Sequence, residues 1–307
     1  MPKERAQTQR LPSSANLMID SADRQIAVDP VANNFSIQRQ NSILNGFFTR
    51  VGTTELVLEW FTPNFSPDQP NPLTPRIGSR DSLKISYTTP DVAESTFNVP
   101  SGFYTQADIV DFVVSSLNTL GATLVPPVTW TVQQPGNIGV AVRIVPDINT
   151  TVSLTDSVAL RLGLNPFNAV IGPTVGFIIY AADLRLYRYL DFVSTQLTAN
   201  QSLKDASTAP IVRDVLARWY FADDQPPVYD QYGFPILQGY TPFVLRRTFS
   251  PPKQIRWEPN IPIGNLTFQV YAPDGQLAQM RSVLPNSPAG GTRPGSEWLM
   301  TLQVSEN

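Results

Sequence analysis

Histidine and cysteine are both absent from this sequence of 307 residues. Without histidine, the Ser-His-Asp and Cys-His catalytic arrangements and the His-ligated zinc and haem sites cannot be built. Without cysteine, thiol nucleophiles, iron–sulfur clusters, zinc ribbons and disulfides are excluded as well. Much of the usual catalytic and metal-binding chemistry is therefore closed to this chain.

Charge is scarce as well. Only 15% of the residues are charged, whereas the average soluble protein has roughly 25%. The net charge of -3 gives no field that would attract nucleic acid. A neutral surface is typical of the centre of a subunit interface, although Ser, Thr, Asn and Gln could equally supply a solvated surface.

Long apolar runs are missing too. No stretch approaches the roughly 18 uninterrupted apolar residues of a membrane span, and the opening MPKERAQTQR lacks the apolar run of a signal peptide. We therefore expect a soluble protein made in the cytosol without a signal peptide. With 42% apolar residues, a chain of this length can build a full core without a metal or a disulfide.

Alternating apolar residues predict strands along most of the chain. The clearest case is the run Trp298, Met300, Leu302 and Val304, which places four apolar side chains on one face of a strand. Similar runs bounded by Pro, Gly or Asp lie at 35–38, 51–63, 82–89, 214–222, 243–249, 253–258 and 265–272. About ten strands with Pro-rich turns predict a mainly β fold, an antiparallel β-sandwich of the single jelly-roll type.

One segment, residues 104–121, predicts a helix. Thr105 and Asp108 have the spacing of a capping box, and Gly121 is expected to supply a left-handed residue at the C-terminal end. The apolar stripe of this helix is expected to face the core and consists of Ile109, Phe112, Val113, Leu117 and Leu120. A hairpin at 128–147 and a helical turn at 156–163 follow, so we predict a small αβ insertion at about 100–170.

The first 33 residues have few apolar side chains apart from NLMID at 16–20. We interpret residues 1–33 as a mobile arm with one short strand, ahead of a jelly-roll domain over 34–307. The arm carries Lys3, Arg5 and Arg10. A solvated tail is the simpler interpretation, and contact with phosphate or with a neighbouring subunit is the functional one.

An acidic cluster is the main candidate for chemistry. Asp223, Asp224 and Asp230 lie in FADDQPPVYDQYGFP and could form a glycosidase carboxylate pair or a calcium site. The segment lacks the D-x-D-x-D-G calcium pattern, so an acidic turn is the interpretation we favour. We therefore predict a protein that is not an enzyme and that has no cofactor.

Two pairings of arginine with aromatic residues could stack nucleic-acid bases. They are Arg218 with Trp219 and Tyr220, and Arg256 with Trp257. The charge around them is balanced and the aromatics alternate as core residues of a strand do, so we predict that they pack inside the protein.

Seven blocks of sequence occur in order along the chain: NLMIDSADR at 16–24, FNVPSGFYTQADIVDFV at 97–113, VALRLGL at 158–164, YLDFVSTQLTANQSLKD at 189–205, VLARWYF at 215–221, FSPPKQIRWEPNIPIGNLTFQVYAPDGQL at 249–277 and EWLMTLQVSE at 297–306. In their general residue pattern and in their order along the chain, they resemble the vertex, or penton, minor capsid proteins of virophages, polinton-like viruses and related double-stranded DNA viruses. None of the blocks is a catalytic signature.

The resemblance implies a single jelly-roll subunit in the virion. Five copies would close each fivefold vertex of an icosahedral capsid whose faces are built from a double jelly-roll major capsid protein. The implied partners are further copies of the chain itself, that major capsid protein and, through the arm, internal capsid proteins.

Two other functions remain open. A receptor-binding spike or fibre head would also be rich in β-strands, but it would tend to be a trimer with a repetitive stalk, and no repeat is visible. A carbohydrate-binding or carbohydrate-active β-sandwich is the other, and binding to a glycan array would distinguish it.

Overall fold

The structure, a computed structural model, describes residues 14–25, 29, 31–38, 50–65, 82–89, 93–133, 141–155, 163–164, 167–198, 215–221, 228–256, 264–280 and 296–305. Two α-helices lie in these ranges, α1 at Gln106–Gly121 and α2 at Thr195–Thr198. The strands, in chain order, are β1 Ser14–Asp20, β2 Asn34–Gln38, β3 Arg50–Trp60, β4 Ser82–Thr89, β5 Ala93–Asn98, β6 Trp130–Gln133, β7 Ala141–Pro146, β8 Thr150–Thr155, β9 Phe167–Ile171, β10 Phe177–Tyr180, β11 Tyr189–Val193, β12 Ala217–Tyr220, β13 Val228–Tyr229, β14 Pro235–Ile236, β15 Phe243–Thr248, β16 Gln254–Arg256, β17 Asn265–Tyr271 and β18 Glu297–Ser305.

Two antiparallel sheets form a sandwich. The first has the order β1-β18-β3-β15, with β16 also paired to β3, and the second has the order β12-β11-β17-β2. With β15 and β16 counted as one, the sandwich has eight strands. Numbered 1 to 8 in chain order, they are β1, β2, β3, β11, β12, β15 with β16, β17 and β18. The first sheet then contains strands 1, 8, 3 and 6, and the second contains 5, 4, 7 and 2. This is the strand order of a jelly roll, so the predicted fold class is confirmed.

The core of the sandwich depends on β18, which lies between β1 and β3. Its four alternating apolar residues are each at most 2% exposed, as their period predicts. The ring of Trp298 packs edge-on against Phe192 and Phe268, and its Nε1 donates a hydrogen bond to the carbonyl of Ala32. A strand from near the end of the sequence therefore completes a sheet made by much earlier segments.

A second hydrophobic core lies in a module formed by the segment between β3 and β11 together with the segment between β12 and β15. The module contains the sheet β5-β4-β8-β9, the sheet β10-β7-β6, the helix α1 and the short hairpin β13-β14. Its core includes residues outside the predicted insertion, among them Leu83 and Tyr87 on one side and Phe234 and Tyr240 on the other. The boundary of about 100–170 stays a prediction.

Helix α1 begins as predicted, with a full capping box between Thr105 and Asp108. Its apolar stripe faces the module core, where Ile109, Val113 and Leu117 are fully buried. The prediction for Gly121 was wrong, because the helix runs through Gly121 and the cap residue Ala122 has a φ of -65°. Glycine is needed there for space, since a Cβ atom would lie 2.4 Å from the carbonyl oxygen of Val128.

The module and Ser14 lie at opposite ends of the sandwich. The strand β3 ends at Trp60, which pairs with Phe243 at the start of β15, so the chain enters and leaves the module at this end. Ser14 pairs with Ser305 at the far end of the first sheet. The strand predicted at NLMID is β1, so from Ser14 onward the expected arm belongs to the sandwich, while residues 1–13 lie outside the described residues.

Candidate assembly surfaces

The predicted arm contacts Lys3, Arg5 and Arg10 lie outside the described residues, as do Asp223 and Asp224 of the acidic cluster. Asp230 is described, and its carboxylate accepts hydrogen bonds from three backbone amides. These belong to Ala107 in the first turn of α1, and to Tyr232 and Phe234 in the β13-β14 hairpin. Asp230 therefore ties the hairpin to the positive end of a helix, which is a structural role.

The carboxylates of the described residues do not assemble into a metal site. Within those ranges no group of three or more Asp, Glu, His or Cys side chains is placed to hold an ion. The buried Asp191 is paired with Arg218, and the half-buried Asp183 is paired with Arg185. Hydrogen bonds from Arg185 hold the pKa of Asp183 below its usual range, although burial acts in the opposite direction.

The pairing of Arg218 with Trp219 and Tyr220 is part of the protein's own packing. Trp219 is fully buried, which confirms the core interpretation for that residue, whereas Tyr220 is 48% exposed, so the prediction that it packs inside the protein was wrong. Arg218 binds Asp191 through two nitrogens, at 2.6 and 3.1 Å, and lies 4.3 Å from the ring centre of Tyr189. Its hydrogen bonds to Asp191 raise the pKa of the guanidinium. The side chains of Arg256 and Trp257 lie outside the described residues.

One side of the sandwich is formed by β12, β15 and β16, and we call it the basic flank. The segment 243–256 of this flank has no acidic residue and four basic ones, Arg246, Arg247, Lys253 and Arg256. Tyr220, Val244 and Leu245 also lie here and are 48%, 55% and 41% exposed. The basic flank thus combines positive charge with uncovered apolar side chains.

The exposure of Leu245 follows from the position of β15. Leu245 pairs with Leu58, which is fully buried, so its side chain points toward the core side of the first sheet. Among the described strands, β15 is the last of its sheet on this side. An edge strand that shows adjacent apolar residues on both of its faces, as Val244 and Leu245 do, is typical of a surface that another chain covers.

The opposite side of the sandwich is formed by β1, the 3-10 turn Ser21–Asp23 and β2, and we call it the acidic flank. The segment 14–29 has three acidic residues, Asp20, Asp23 and Asp29. Its one basic residue, Arg24, is neutralised by an ion pair of 2.6 Å with Glu297. Met18, on the outer face of β1, is 65% exposed.

Sequence reasoning missed both flanks, although a signal for one was present. A strand in the middle of a sheet seldom carries two adjacent charged residues, because one of them would point into the core. The pair Arg246 and Arg247 in FVLRRTF therefore indicates an edge strand. Which two edges lie on the same side of the sandwich depends on the topology, and no local pattern carries that information.

In the described part of the chain, no helix has the length and apolar character needed to cross a membrane.

Comparisons with known proteins give structural likeness alone. No protein-family model matches the sequence, and no curated protein matches it significantly. The crystal structure of the mavirus penton protein is similar over 97% of this chain and all of that chain, with 10% identity and a TM-score of 0.49. A chain of the cryo-EM structure of the Sputnik virophage is similar over 96% of this chain and 98% of its own, with 13% identity and a TM-score of 0.49. At such identities and TM-scores no residue role is transferred to this chain.

Proposed function

We propose that this chain is a structural capsid protein, a penton subunit that forms homopentamers at the fivefold vertices of an icosahedral virion. The observation that carries the proposal is the pair of uncovered flanks on opposite sides of one jelly roll. A subunit in a ring contacts one neighbour with each side, through two different surfaces that meet head to tail. The low proportion of charged residues suits such contacts, and the role requires no active site.

The two ends of the sandwich suit the inner and outer sides of a shell. Residues 1–13 precede Ser14 at one end, and the inserted module lies at the other. If the arm faces the interior, where Lys3, Arg5 and Arg10 would contact neighbouring capsomers or internal proteins, the module faces outward. The double jelly-roll major capsid protein is the proposed neighbour of the pentamer.

The mass of the protein in solution tests this proposal. Light scattering after size exclusion, at several protein and salt concentrations, should give about 170 kDa for five chains of 33.9 kDa. A stable trimer would instead favour the receptor-binding head. A chain that stays monomeric at every concentration, with and without the major capsid protein, would contradict the proposal.

Truncation of the arm tests its role separately. Deletion of residues 1–13 should leave the fold and the pentamer intact, because the described sandwich begins at Ser14, and should lower incorporation into capsids. Deletion of residues 1–30 is the informative comparison. It removes β1, which pairs with β18 over seven residues, and the ion pair of Arg24 with Glu297, so soluble folded protein should be lost.

Incorporation would be measured by co-expression with the major capsid protein and by quantifying the chain in purified particles. Equal incorporation of the full chain and of the chain without residues 1–13 would show that the arm is a solvated tail.

A further inference from the structure

One row of residues crosses the whole first sheet and ends in opposite charges. Asp20 on β1 pairs with Leu299 on β18, Leu299 pairs with Val57 on β3, and Val57 pairs with Arg246 on β15. Paired residues of neighbouring strands point to the same face of a sheet. Asp20 and Arg246 therefore lie on the same outer face, at the same height along the strands, about 14 Å apart across four strands.

We propose that the acidic flank of one copy docks on the basic flank of the next copy, with Asp20 of one subunit facing Arg246 of its neighbour. The proposal rests on the homo-oligomeric ring proposed above and names the surfaces that close it. The occupant of each flank is a second copy of this chain.

The geometry of a ring explains why the row matters. With the two ends of the sandwich on the inner and outer sides of the shell, as proposed above, the ring axis runs parallel to the strands. Rotation about this axis brings the left side of one subunit against the right side of the next without changing the height of any residue. Groups that meet across the contact must therefore lie at the same height on opposite sides of the subunit. The two ends of the Asp20–Arg246 row meet this condition, and their charges are opposite, which favours both encounter and correct register.

The apolar residues of the two flanks suit the same contact. Met18 lies two residues from Asp20 on the outer face of β1, and Val244 lies two residues from Arg246 on the outer face of β15. Both are more than half exposed in the single chain. Docking of the two flanks would remove these side chains from water on either side of the charged pair.

Arg246 can bind a second carboxylate while it keeps its present one. Its guanidinium contacts Glu55 at 2.6 Å, and its side chain is 66% exposed. A guanidinium has five N–H donors in a planar fork, so one carboxylate does not occupy all of them. Asp20 uses one oxygen to accept the amide of Ala22, which leaves the other oxygen for a neighbour.

Charge reversal on each flank, and then on both, tests the docking. We expect Arg246→Glu and Asp20→Arg each to weaken self-association of the full chain by about tenfold, because each places like charges opposite one another. The combined variant restores opposite charges and should recover most of the loss. The control is Lys84→Glu, a reversal at an exposed ion pair with Glu94 on the module, which should leave association unchanged. Association would be measured by sedimentation velocity over a range of salt concentrations, with thermal unfolding of each variant to verify its fold.

The outcomes separate this inference from the proposed function. A pentamer that responds to neither reversal would overturn the docking and leave the penton role in place. Two weakened single variants that are not rescued in combination would overturn the pairing of Asp20 with Arg246. A wild-type trimer would overturn the penton role, and the same variants would then show whether these flanks form the trimer contact; a monomer at every concentration would overturn both.

Discussion

The sandwich and the inserted module hold their cores together in different ways. In the sandwich, large aromatic side chains from several strands meet around Trp298, whose ring lies 5.2 to 5.7 Å from the rings of Phe35, Phe192 and Phe268. Phe268 and Trp298 come from β17 and β18, in which burial alternates along the strand. The interior is therefore stabilised chiefly by the burial of apolar surface. This hydrophobic stabilisation depends on the area buried and not on the direction of the contacts.

In the module, directed hydrogen bonds pass through the core. Tyr87 of β4 donates from its hydroxyl to the carbonyl of Leu117 on α1 and accepts from Nε1 of Trp130 on β6. The amide side chain of Asn118 makes two hydrogen bonds with the backbone of Trp130. Farther along the chain, Asp230 links the β13-β14 hairpin to α1.

The comparison indicates what each region tolerates. A core of interlocked apolar side chains loses most when a large one is truncated, because a cavity remains. A region built from short strands, a helix and loops depends on polar groups that have no other partner once they are buried. We therefore expect the truncation of a large apolar side chain to lower stability most in the sandwich. The loss of a single polar group should lower stability most in the module.

The largest effect is expected for Trp298→Ala. It leaves a cavity at the centre of the sandwich and removes the hydrogen bond to Ala32, so the free energy of unfolding should fall by about 3–5 kcal/mol. Leu299→Ala is the matched control, since Leu299 is the next residue of β18 and is half-buried on the outer face. It should cost about 1 kcal/mol or less. Chemical denaturation measures both values, and similar losses would mean that the sandwich core is not organised around Trp298.

A smaller loss, confined to the module, is expected for Asp230→Ala. Three backbone amides lose their acceptor, and we expect a cost of about 2–3 kcal/mol. Hydrogen exchange should increase in α1 and in β13-β14 while β3 and β18 keep their protection. Asp274→Ala is the control, because Asp274 accepts a single exposed amide, that of Gln276. Equal loss of protection in both regions would contradict the idea that the two cores are held separately.

The same difference explains how much of the fold could be predicted from the sequence. The sandwich strands β17 and β18, and β3 from Glu55 onward, are buried on one face and half-buried or exposed on the other, so their period of two is visible in the sequence. The composition of the module core was not visible, because Phe234 and Tyr240 join it from more than 40 residues beyond its last large strand, β10. Contacts at such distances along the chain leave no local pattern.

The candidate surfaces could be predicted only in part. The strand at 243–249 was expected, but its place at an edge depends on which strand lies beside β3, and that is set by the topology. Gly121 shows the same limit of local reasoning. A glycine at the end of a helix usually indicates a left-handed residue, whereas here the backbone of Val128 passes too close for a side chain.

The smallest predicted effect depends on pH. Burial raises the pKa of Tyr87 to about 12, whereas an unfolded tyrosine ionises near pH 10. The neutral hydroxyl therefore stabilises the folded module fully below pH 10, and this contribution is lost as the pH rises from about 10 to 12, because the unfolded state releases the proton first.

Tyr87→Phe removes this ionisation together with the hydroxyl. At pH 8 the variant should be less stable by about 1–2 kcal/mol, since Nε1 of Trp130 loses its acceptor. As the pH rises toward 12 the difference between the two proteins should shrink, because only the wild type is then penalised for keeping residue 87 protonated. Urea denaturation at pH 8, 10 and 11.5 measures this difference. Tyr229→Phe is the control, since Tyr229 lies on the β13-β14 hairpin of the same module and is 59% exposed. If the difference in free energy of unfolding between wild type and Tyr87→Phe stays constant with pH, the Tyr87 hydroxyl is not buried in the module. Directed hydrogen bonds would then not hold this core.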